Sequence, residues 1–144
     1  MDPLEPPPDA HHAVVPDGEV FIWQPRPDIV VQKAAGILSL PLAECFAAFY
    51  RPILSAGAHV RIFDDFAQLT YYTREARELL TELTLERLFA IDVIHFLLSS
   101  KFMALGVSAF KHDIGSERVR AYSDRKSFLA SFAQAMAAPE RPGT

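Results

Sequence analysis

The chain has 144 residues, of which 50% are hydrophobic and 22% are charged, a composition typical of one globular domain with its own core. Five acidic residues and no lysine or arginine lie before Arg26, so the net charge of −4 leaves −4 − (−5) = +1 for the rest of the chain. That near-neutral body argues against a nucleic-acid-binding protein, which needs a clustered basic face, and against electrostatic attachment to an anionic membrane.

The cysteine content and the apolar runs indicate the compartment. Cys45 is the only cysteine, so the chain cannot form an intrachain disulfide. The absence of disulfides is usual for proteins of the reducing cytoplasm. The chain opens with an acidic, proline-rich stretch and not with the basic and then apolar segments of a signal peptide. The longest apolar run, "FLLSSKFMALGV", is too short and too polar to cross a bilayer. We therefore expect a soluble cytoplasmic protein without a membrane span.

Both ends of the chain have the composition of flexible segments. Residues 1–18 hold five of the eleven prolines and do not contain enough apolar surface to offset the entropy of ordering them. The last residues, "AAPERPGT", have a similar composition. We therefore expect a flexible acidic arm over residues 1–18, a folded domain over 19–137 and a disordered tail over 138–144.

The first half of the domain predicts two strands, a helix and a third strand. "VFIWQ" and "DIVVQKAAG" are rich in β-branched and aromatic residues, and the intervening "PRPD" favours a hairpin between them. Pro41 stands at a helix start, where its missing N–H costs nothing, and Pro52 is expected to kink or end the helix near its last turn. The apolar positions at helical spacing are Leu42, Phe46, Phe49 and Ile53. "AHVRIF" is the third predicted strand.

In the second half of the domain, three predicted helices alternate with two strands. The helix over 73–88 has the apolar stripe Ala76, Leu79, Leu80 and Leu83. "AIDVIHFLL" is almost continuously apolar, which predicts a central strand around Val93 with both faces covered. "SKFMALGVSAF" predicts a shorter helix and "ERVRAYS" a short strand. The last helix begins after Ser123 or Asp124 and has the stripe Phe128, Leu129, Phe132 and Met136.

The predicted order is β-β-α-β-α-β-α-β-α, which indicates a single α/β domain with a mixed sheet and about four helices. With its first hairpin and its short G-x-L-S connection into the first helix, this order resembles the STAS/SpoIIAA-like family. The resemblance covers about residues 20–136. It rests on the segments "DIVVQKAAGILSL", "HVRIFDDFAQLTYYTREARELL", "IDVIHFLLSSKFMALGVS" and "RVRAYSDRKSFLASF". It implies the SpoIIAA-like fold for this chain.

The same resemblance implies a regulatory position. In the anti-sigma-factor antagonists of that family, the third strand ends in an Asp, and a loop leads to a phosphorylatable Ser at the start of the next helix. The corresponding positions here are Asp64 at the strand end and Thr73 near the phospho-acceptor. The family's Asp-Ser-Ser/Ala-Gly is absent, because the stretch is "YYTREA", with the bulky Tyr71 and Tyr72 before the acceptor. This departure argues against phosphorylation, and Thr73 is equally well placed to act only as a helix N-cap.

No catalytic constellation is evident in the sequence. Asp64 and Asp65 are adjacent, so their side chains point to opposite faces of an extended chain, whereas paired-carboxylate catalysis needs both groups around one substrate, roughly 5 to 10 Å apart. We expect one of them to accept backbone hydrogen bonds in a loop and the other to be solvated. His95 is expected to be a hydrogen-bonded core residue, and the histidines and Cys45 lack metal-ligand spacing. We therefore expect a protein that is not an enzyme and that has no metal or cofactor.

The aromatic residues at element ends are the most informative candidates, because they are suited to lining an apolar pocket or an interface. They are Phe66, Tyr71, Tyr72 and Phe110. The first hypothesis is a non-enzymatic STAS-like protein-interaction module in bacterial signalling, with Thr73 as a possible phospho-acceptor. Its predicted recognition loop contains Asp64, Asp65, Phe66, Tyr71 and Tyr72. The second hypothesis is a carrier or sensor of an apolar small molecule or lipid. We also expect a homodimer, because two-fold pairing covers apolar patches on small domains of this kind.

Overall fold

The computed structural model describes residues 2–140, in which six strands form one mixed sheet with helices on both faces. The strands are β1 (His11–Val15), β2 (Gly18–Arg26), β3 (Ile29–Leu38), β4 (Val60–Tyr72), β5 (Ile91–Leu97) and β6 (Val119–Tyr122). The helices are α1 (Leu40–Leu54), α2 (Arg74–Glu86), α3 (Lys101–Ile114) and α4 (Arg125–Ala137). Single turns of 3-10 helix, Leu88–Ala90 and Ser116–Arg118, precede β5 and β6.

The strands lie side by side in the order in which they occur in the chain. β1, β2 and β3 form an antiparallel meander, whereas β3, β4, β5 and β6 are parallel. Right-handed crossovers that all step in one direction bring successive helices to the same face, so α1, α2 and α3 pack together on one side. α4 follows the last strand and packs on the other side.

The sheet therefore separates two hydrophobic cores. The larger core lies under α1, α2 and α3 and includes Phe46 and Val107. The smaller core lies under α4, where the rings of Phe128 and Phe132 meet that of Phe63 with centroids 5.9 and 5.2 Å apart. Interior strands contribute alternate residues to the two cores, because neighbours along a strand point to opposite faces.

Most of the predicted elements are confirmed. The hairpin is β2–β3, and the four helices occur in the predicted order. β5 is an interior strand between β4 and β6, but it lies one place from the edge of the sheet and not at its centre. Ile94 and His95 are buried on its two faces, whereas Val93 is only half-buried. Pro52 lies in the last turn of α1, which ends at Leu54. The α/β class and the mixed sheet follow the sequence prediction.

The prediction of a flexible arm over residues 1–18 is wrong. His11–Val15 form β1, which pairs with β2 across a short turn, and the backbone N–H of Ile37 donates to the carbonyl oxygen of Asp17 at 2.8 Å. Leu4 is fully buried in the core under α4. The main-chain pairing and the burial of Leu4 offset the entropy of ordering this segment, although its own composition indicates disorder. The fold consequently has one strand more than the predicted order.

The prediction of a recognition loop after Asp64 is wrong in its secondary structure. β4 continues for 13 residues, and all five residues assigned to the loop lie within it. The whole length of β3 pairs with β4, and the last pair is Leu38 with Tyr72. The register shifts at two points along this pairing. Because β3 supplies backbone partners over this distance, the polar stretch forms a strand and not a loop.

The predicted disordered tail, residues 138–144, is described in part. Ala138 follows α4, and its carbonyl oxygen accepts a hydrogen bond of 2.8 Å from Nη1 of Arg26. The same guanidinium pairs with the carboxylate of Asp28 at 2.8 Å. Residues 141–144 lie outside the described residues.

We predict that Leu4→Ala lowers the free energy of unfolding by about 2–5 kcal/mol, because leucine-to-alanine changes in a packed core leave a cavity. Leu4 is fully buried in the same core as Phe128 and Phe132. Urea denaturation measures the loss. Val14→Ala is the matched control, because Val14 lies in the same terminal segment but is 68% exposed. Equal unfolding free energies for the two variants would show that this segment does not pack on the sheet.

Candidate functional site

A cavity opens between the sheet and helices α1, α2 and α3. The cavity and the open solvent at its mouth together occupy about 680 Å³. Residues of β3, β4 and β5 form its floor, and the three helices form its walls. Apolar side chains predominate in the lining and include Phe66, Phe96, Met103 and Val107. The polar side chains of the lining are Gln32, Tyr50, Asp64, Tyr72, Arg77 and Thr84.

Gln32 and Asp64 form a buried polar pair on the cavity floor. They are register partners on the adjacent parallel strands β3 and β4, so their side chains project from the same face of the sheet. Nε2 of Gln32 donates to Oδ1 of Asp64 at 2.6 Å, and the two residues are 3% and 5% exposed. Burial raises the pKa of Asp64 to about 8, against the opposing effect of the hydrogen bond from Gln32. At neutral pH the carboxyl group is therefore mostly uncharged.

Tyr50 brings a third polar group to the cavity from α1. It is 5% exposed, and burial raises the pKa of its hydroxyl group well above the ordinary value, with a further contribution from Asp64. This hydroxyl is consequently also uncharged at neutral pH. The polar groups that the sheet and α1 present to the cavity are thus neutral donors and acceptors.

Asp65 lies on the opposite face of the sheet, as the alternation of a strand predicts. Its Oδ2 accepts from Nη1 of Arg125 at 3.0 Å, and its Oδ1 accepts from the backbone N–H of Ala67 at 3.4 Å. Arg125 also pairs with the carboxylate of Asp2, which ties the N-terminal segment to α4. The expectation that one of the two aspartates is solvated is wrong, because Asp64 and Asp65 are 5% and 2% exposed. β4 is an interior strand with helices on both faces, so neither side chain reaches solvent.

The predicted aromatic site residues divide between the cavity and the surface. Phe66 and Phe110 line the cavity, and Phe66 is 5% exposed. Tyr72 also lines it, and its ring lies 4.7 Å from that of Phe102. Tyr71 is 47% exposed and stacks on Phe102 at 4.5 Å. We call the surface group Tyr71, Tyr72 and Phe102 the aromatic patch.

A glycine shapes the mouth beside the aromatic patch. Gly106 is a buried residue of α3, and a methyl group in its place would overlap the ring of Tyr72. The backbone of α3 therefore lies directly against this ring, as only glycine permits. Gly106 sets the position of Tyr72 between the cavity and the aromatic patch.

Thr73 caps α2, as predicted. Its Oγ1 accepts from the backbone N–H of Ala76 at 3.3 Å, and its own N–H donates to the carbonyl oxygen of Leu38 at 3.0 Å. Arg74, the next residue, pairs with Glu78 at 2.8 Å on the exposed side of the helix. The side-chain oxygen of Thr73 thus has a structural role, and its phosphorylation stays a prediction.

His95 is a hydrogen-bonded residue of the sheet, as predicted. Its Nδ1 lies 2.8 Å from the hydroxyl of Tyr122, which in turn lies 2.9 Å from Oγ of Ser131 on α4. Burial lowers the pKa of His95 to about 4, and the positive charges of Arg120 and Arg61 contribute. The imidazole is therefore neutral at physiological pH, and its ring stacks on Phe63 at 4.3 Å.

Residues 2–140 contain neither a cluster of metal ligands nor a candidate membrane-spanning helix. Within that range, no group of three or more His, Cys, Asp or Glu side chains is placed to hold a metal ion. No helix in the described part of the chain combines the length and the apolar character needed to cross a membrane.

Sequence reasoning did not select Gln32 as a site residue. The available signal was a long polar amide inside the β-branched run "IVVQKAAG" of a buried strand. A buried polar group needs a hydrogen-bond partner, so Gln32 in this position predicts a polar partner elsewhere in the fold. The partner is Asp64, which lies 32 positions further along the chain.

Comparisons with solved structures identify the fold. No family model matches the chain, and no curated protein is significantly similar to it in sequence. An uncharacterised DUF3478-family protein with a SpoIIAA-like fold from Shewanella loihica PV-4 matches with a TM-score of 0.61 and 12% identity, over 83% of this chain and 96% of that one. The unphosphorylated anti-sigma factor antagonist SpoIIAA matches with a TM-score of 0.58 and 16% identity, over 81% and 97%. This chain has the SpoIIAA-like fold. The predicted resemblance in fold is thereby confirmed.

We predict that stability falls as the pH rises from about 7 to 8, and that Asp64→Asn removes this fall. The pKa of Asp64 is about 8 in the folded chain against an ordinary value of 3.8, so the folded state retains a proton that the unfolded state has lost. Stability is then lost as the pH rises towards the folded pKa, by about 1 kcal/mol per pH unit in this window. His95 contributes little there, because its folded pKa is about 4.

Urea denaturation of the parent and of Asp64→Asn at several pH values provides the measurement. His95→Gln is a matched control, since it removes a different buried titratable group and should leave the fall between pH 7 and 8 in place. Parallel pH profiles for the parent and Asp64→Asn would contradict a protonated Asp64.

Proposed function

We propose that the protein binds a small, mainly apolar molecule in the cavity between the sheet and α1, α2 and α3, and that it acts by binding and not by catalysis. The observation that carries this proposal is the cavity itself. Protein interiors are otherwise close-packed, so an apolar cavity between the sheet and three helices is a candidate site for a small molecule.

The chemistry of the lining supports this function. Aromatic and aliphatic side chains from the sheet and from the helices face the space, while a few polar groups converge on its floor. This combination is typical of sites in which apolar contacts supply affinity and a few hydrogen bonds supply orientation. Gln32, Tyr50 and Asp64 are uncharged at neutral pH, which suits them to holding a neutral molecule.

We predict that the protein binds the neutral apolar fluorophore N-phenyl-naphthylamine and that Val107→Phe weakens this binding at least tenfold. Val107 is 7% exposed and lines the cavity, so a larger side chain fills space that the fluorophore needs. Tenfold corresponds to about 1.4 kcal/mol of binding free energy. The enhancement of fluorescence on titration gives the dissociation constant, and thermal melting confirms that the variant is folded.

The matched control is Leu105→Phe, which introduces the same side chain into the same helix at a position that is 68% exposed. It should bind the fluorophore as the parent does. Equal affinity of the parent and of folded Val107→Phe would place the fluorophore elsewhere and contradict the proposal.

A second candidate function is that of a STAS-like protein-interaction module in cytoplasmic bacterial signalling, with a protein partner or a second copy of the chain. The aromatic patch favours this function, because Tyr71 and Phe102 are 47% and 40% exposed and stack on each other at the surface. Exposed aromatic groups of this kind are enriched at protein interfaces. Thr73 caps the helix that directly follows the aromatic patch. A phosphate group on Thr73 would therefore place negative charge beside the patch.

We predict that Thr73→Ala lowers the free energy of unfolding by about 1 kcal/mol through loss of the cap, and that Thr73→Ser preserves stability. Thr73→Asp places a negative charge at the positive end of the α2 dipole and should also be stable. A protein captured from source lysate and identified by mass spectrometry is then titrated against all three variants, whose melting temperatures are also measured.

The switch hypothesis requires Thr73→Asp to be as stable as the parent and to bind the captured protein differently. Binding that follows stability across the three variants would leave Thr73 with the role of a cap alone. Sedimentation of the parent at micromolar concentration tests the homodimer in the same preparation.

A further inference from the structure

One polar atom of a cavity-lining side chain has no hydrogen-bond partner among residues 2–140. Gln32 is 3% exposed and lies in the middle of β3, with β2 on one side and β4 on the other. Its side chain lines the cavity, and its Oε1 is buried and accepts no hydrogen bond from the described residues. Buried side-chain oxygens nearly always accept a hydrogen bond, so this atom marks a position where a donor is missing.

Asp64 does not supply the missing donor in this arrangement, because its contact with the amide group is made to Nε2. Nε2 of Gln32 donates to Oδ1 of Asp64 at 2.6 Å. This bond occupies an amide N–H and leaves Oε1, which belongs to a side chain of the cavity lining, without a donor. The surrounding apolar lining, including Phe66, Phe96 and Val107, offers no hydrogen-bond donor from its side chains.

We propose that the molecule bound in the cavity presents an uncharged hydrogen-bond donor, a hydroxyl group or an amide N–H, to Oε1 of Gln32. Its apolar body then packs against the aromatic and aliphatic side chains of the lining. This inference rests on the proposed small-molecule function and specifies the chemical class of the ligand. Gln32 is the residue that orients it.

The charges around the cavity favour a neutral donor over an ion. A carboxylate at this depth would place acceptor oxygens against the acceptor Oε1 of Gln32 and would lose its hydration in a mainly apolar lining. Arg77, which is half-buried on α2, is the cation of the lining and would attract an anion to its own side of the cavity. The same positive charge disfavours a ligand with an ammonium group.

Naphthalene derivatives of nearly equal size separate these alternatives on the parent protein. Isothermal titration calorimetry compares naphthalene, naphthol, methoxynaphthalene, naphthoate and naphthylmethylamine as the probes. Naphthol carries a neutral donor, methoxynaphthalene only an acceptor, and the last two carry opposite charges. We expect naphthol to bind about tenfold more tightly than naphthalene, because it satisfies a buried oxygen that naphthalene leaves unpaired.

Gln32→Met assigns that preference to the amide, since methionine has a similar length and no strong acceptor. The expected result is that the affinity ratio of naphthol to naphthalene falls from about ten to about one. Leu105→Met is the matched control on an exposed position and should retain the ratio of the parent. If Gln32→Met does not fold, equal binding of naphthol and naphthalene by the parent still overturns the proposal.

Each alternative outcome overturns the proposal in a recognisable way. Equal binding of naphthol and naphthalene leaves the proposed function in place but removes the donor. Tightest binding of naphthoate or naphthylmethylamine shows that a charge is recognised. Methoxynaphthalene binding as tightly as naphthol, and more tightly than naphthalene, shows that the amide presents Nε2 to the cavity. Failure of all five probes, together with failure of the fluorophore, rejects the proposed function itself.

Discussion

The pairing of β3 with β4 over the full length of β3 is the constraint on which the rest of the structure depends. It places Gln32 beside Asp64 on the same face of the sheet, so that two polar side chains from distant parts of the chain meet in the larger core. It also extends β4 as far as Tyr72, which delays the start of α2 and brings the aromatic patch to the end of the sheet. Asp64 on the cavity floor and Tyr71 in the aromatic patch therefore belong to the same strand.

The interior position of β4 gives the adjacent aspartates separate roles. Asp65 faces the core under α4, where its ion pair with Arg125 is shared with Asp2 and so connects the N-terminal segment to the last helix. Asp64 faces the larger core, where its partner is a neutral amide and burial raises its pKa. One carboxyl group thus has a cationic partner and the other does not. Burial of an acid without a cation favours its protonated form, and this keeps the cavity floor uncharged at neutral pH.

The cavity is an exception to the close packing that is usual in protein interiors. Its walls come from three crossover helices, and at its mouth the glycine backbone of α3 lies against the ring of Tyr72. Tyr72 belongs to both candidate sites, because it lines the cavity and also packs on Phe102 in the aromatic patch. An occupant of the cavity and a partner on the patch would therefore contact the same side chain.

The sequence by itself determined the alternation of strands and helices, the interior position of β5, the cap at Thr73 and the opposite directions of Asp64 and Asp65. These features depend on local periodicity, on capping preferences and on the geometry of an extended chain, all of which are readable over a few residues. The resemblance in fold followed from the order of these elements.

Only the tertiary structure decided that residues 11–15 form a strand, that β4 continues through a polar stretch and that both aspartates are buried. In each case the deciding partner lies far away in the sequence: β2 for the terminal strand, β3 for the end of β4, and α4 with the other helices for the two carboxyl groups. The partnership of Gln32 with Asp64 has the same origin, because parallel strands align residues 32 positions apart. Local composition carries no information about such partners, and their backbone pairing and burial are what overcome the entropy and the polarity of these segments.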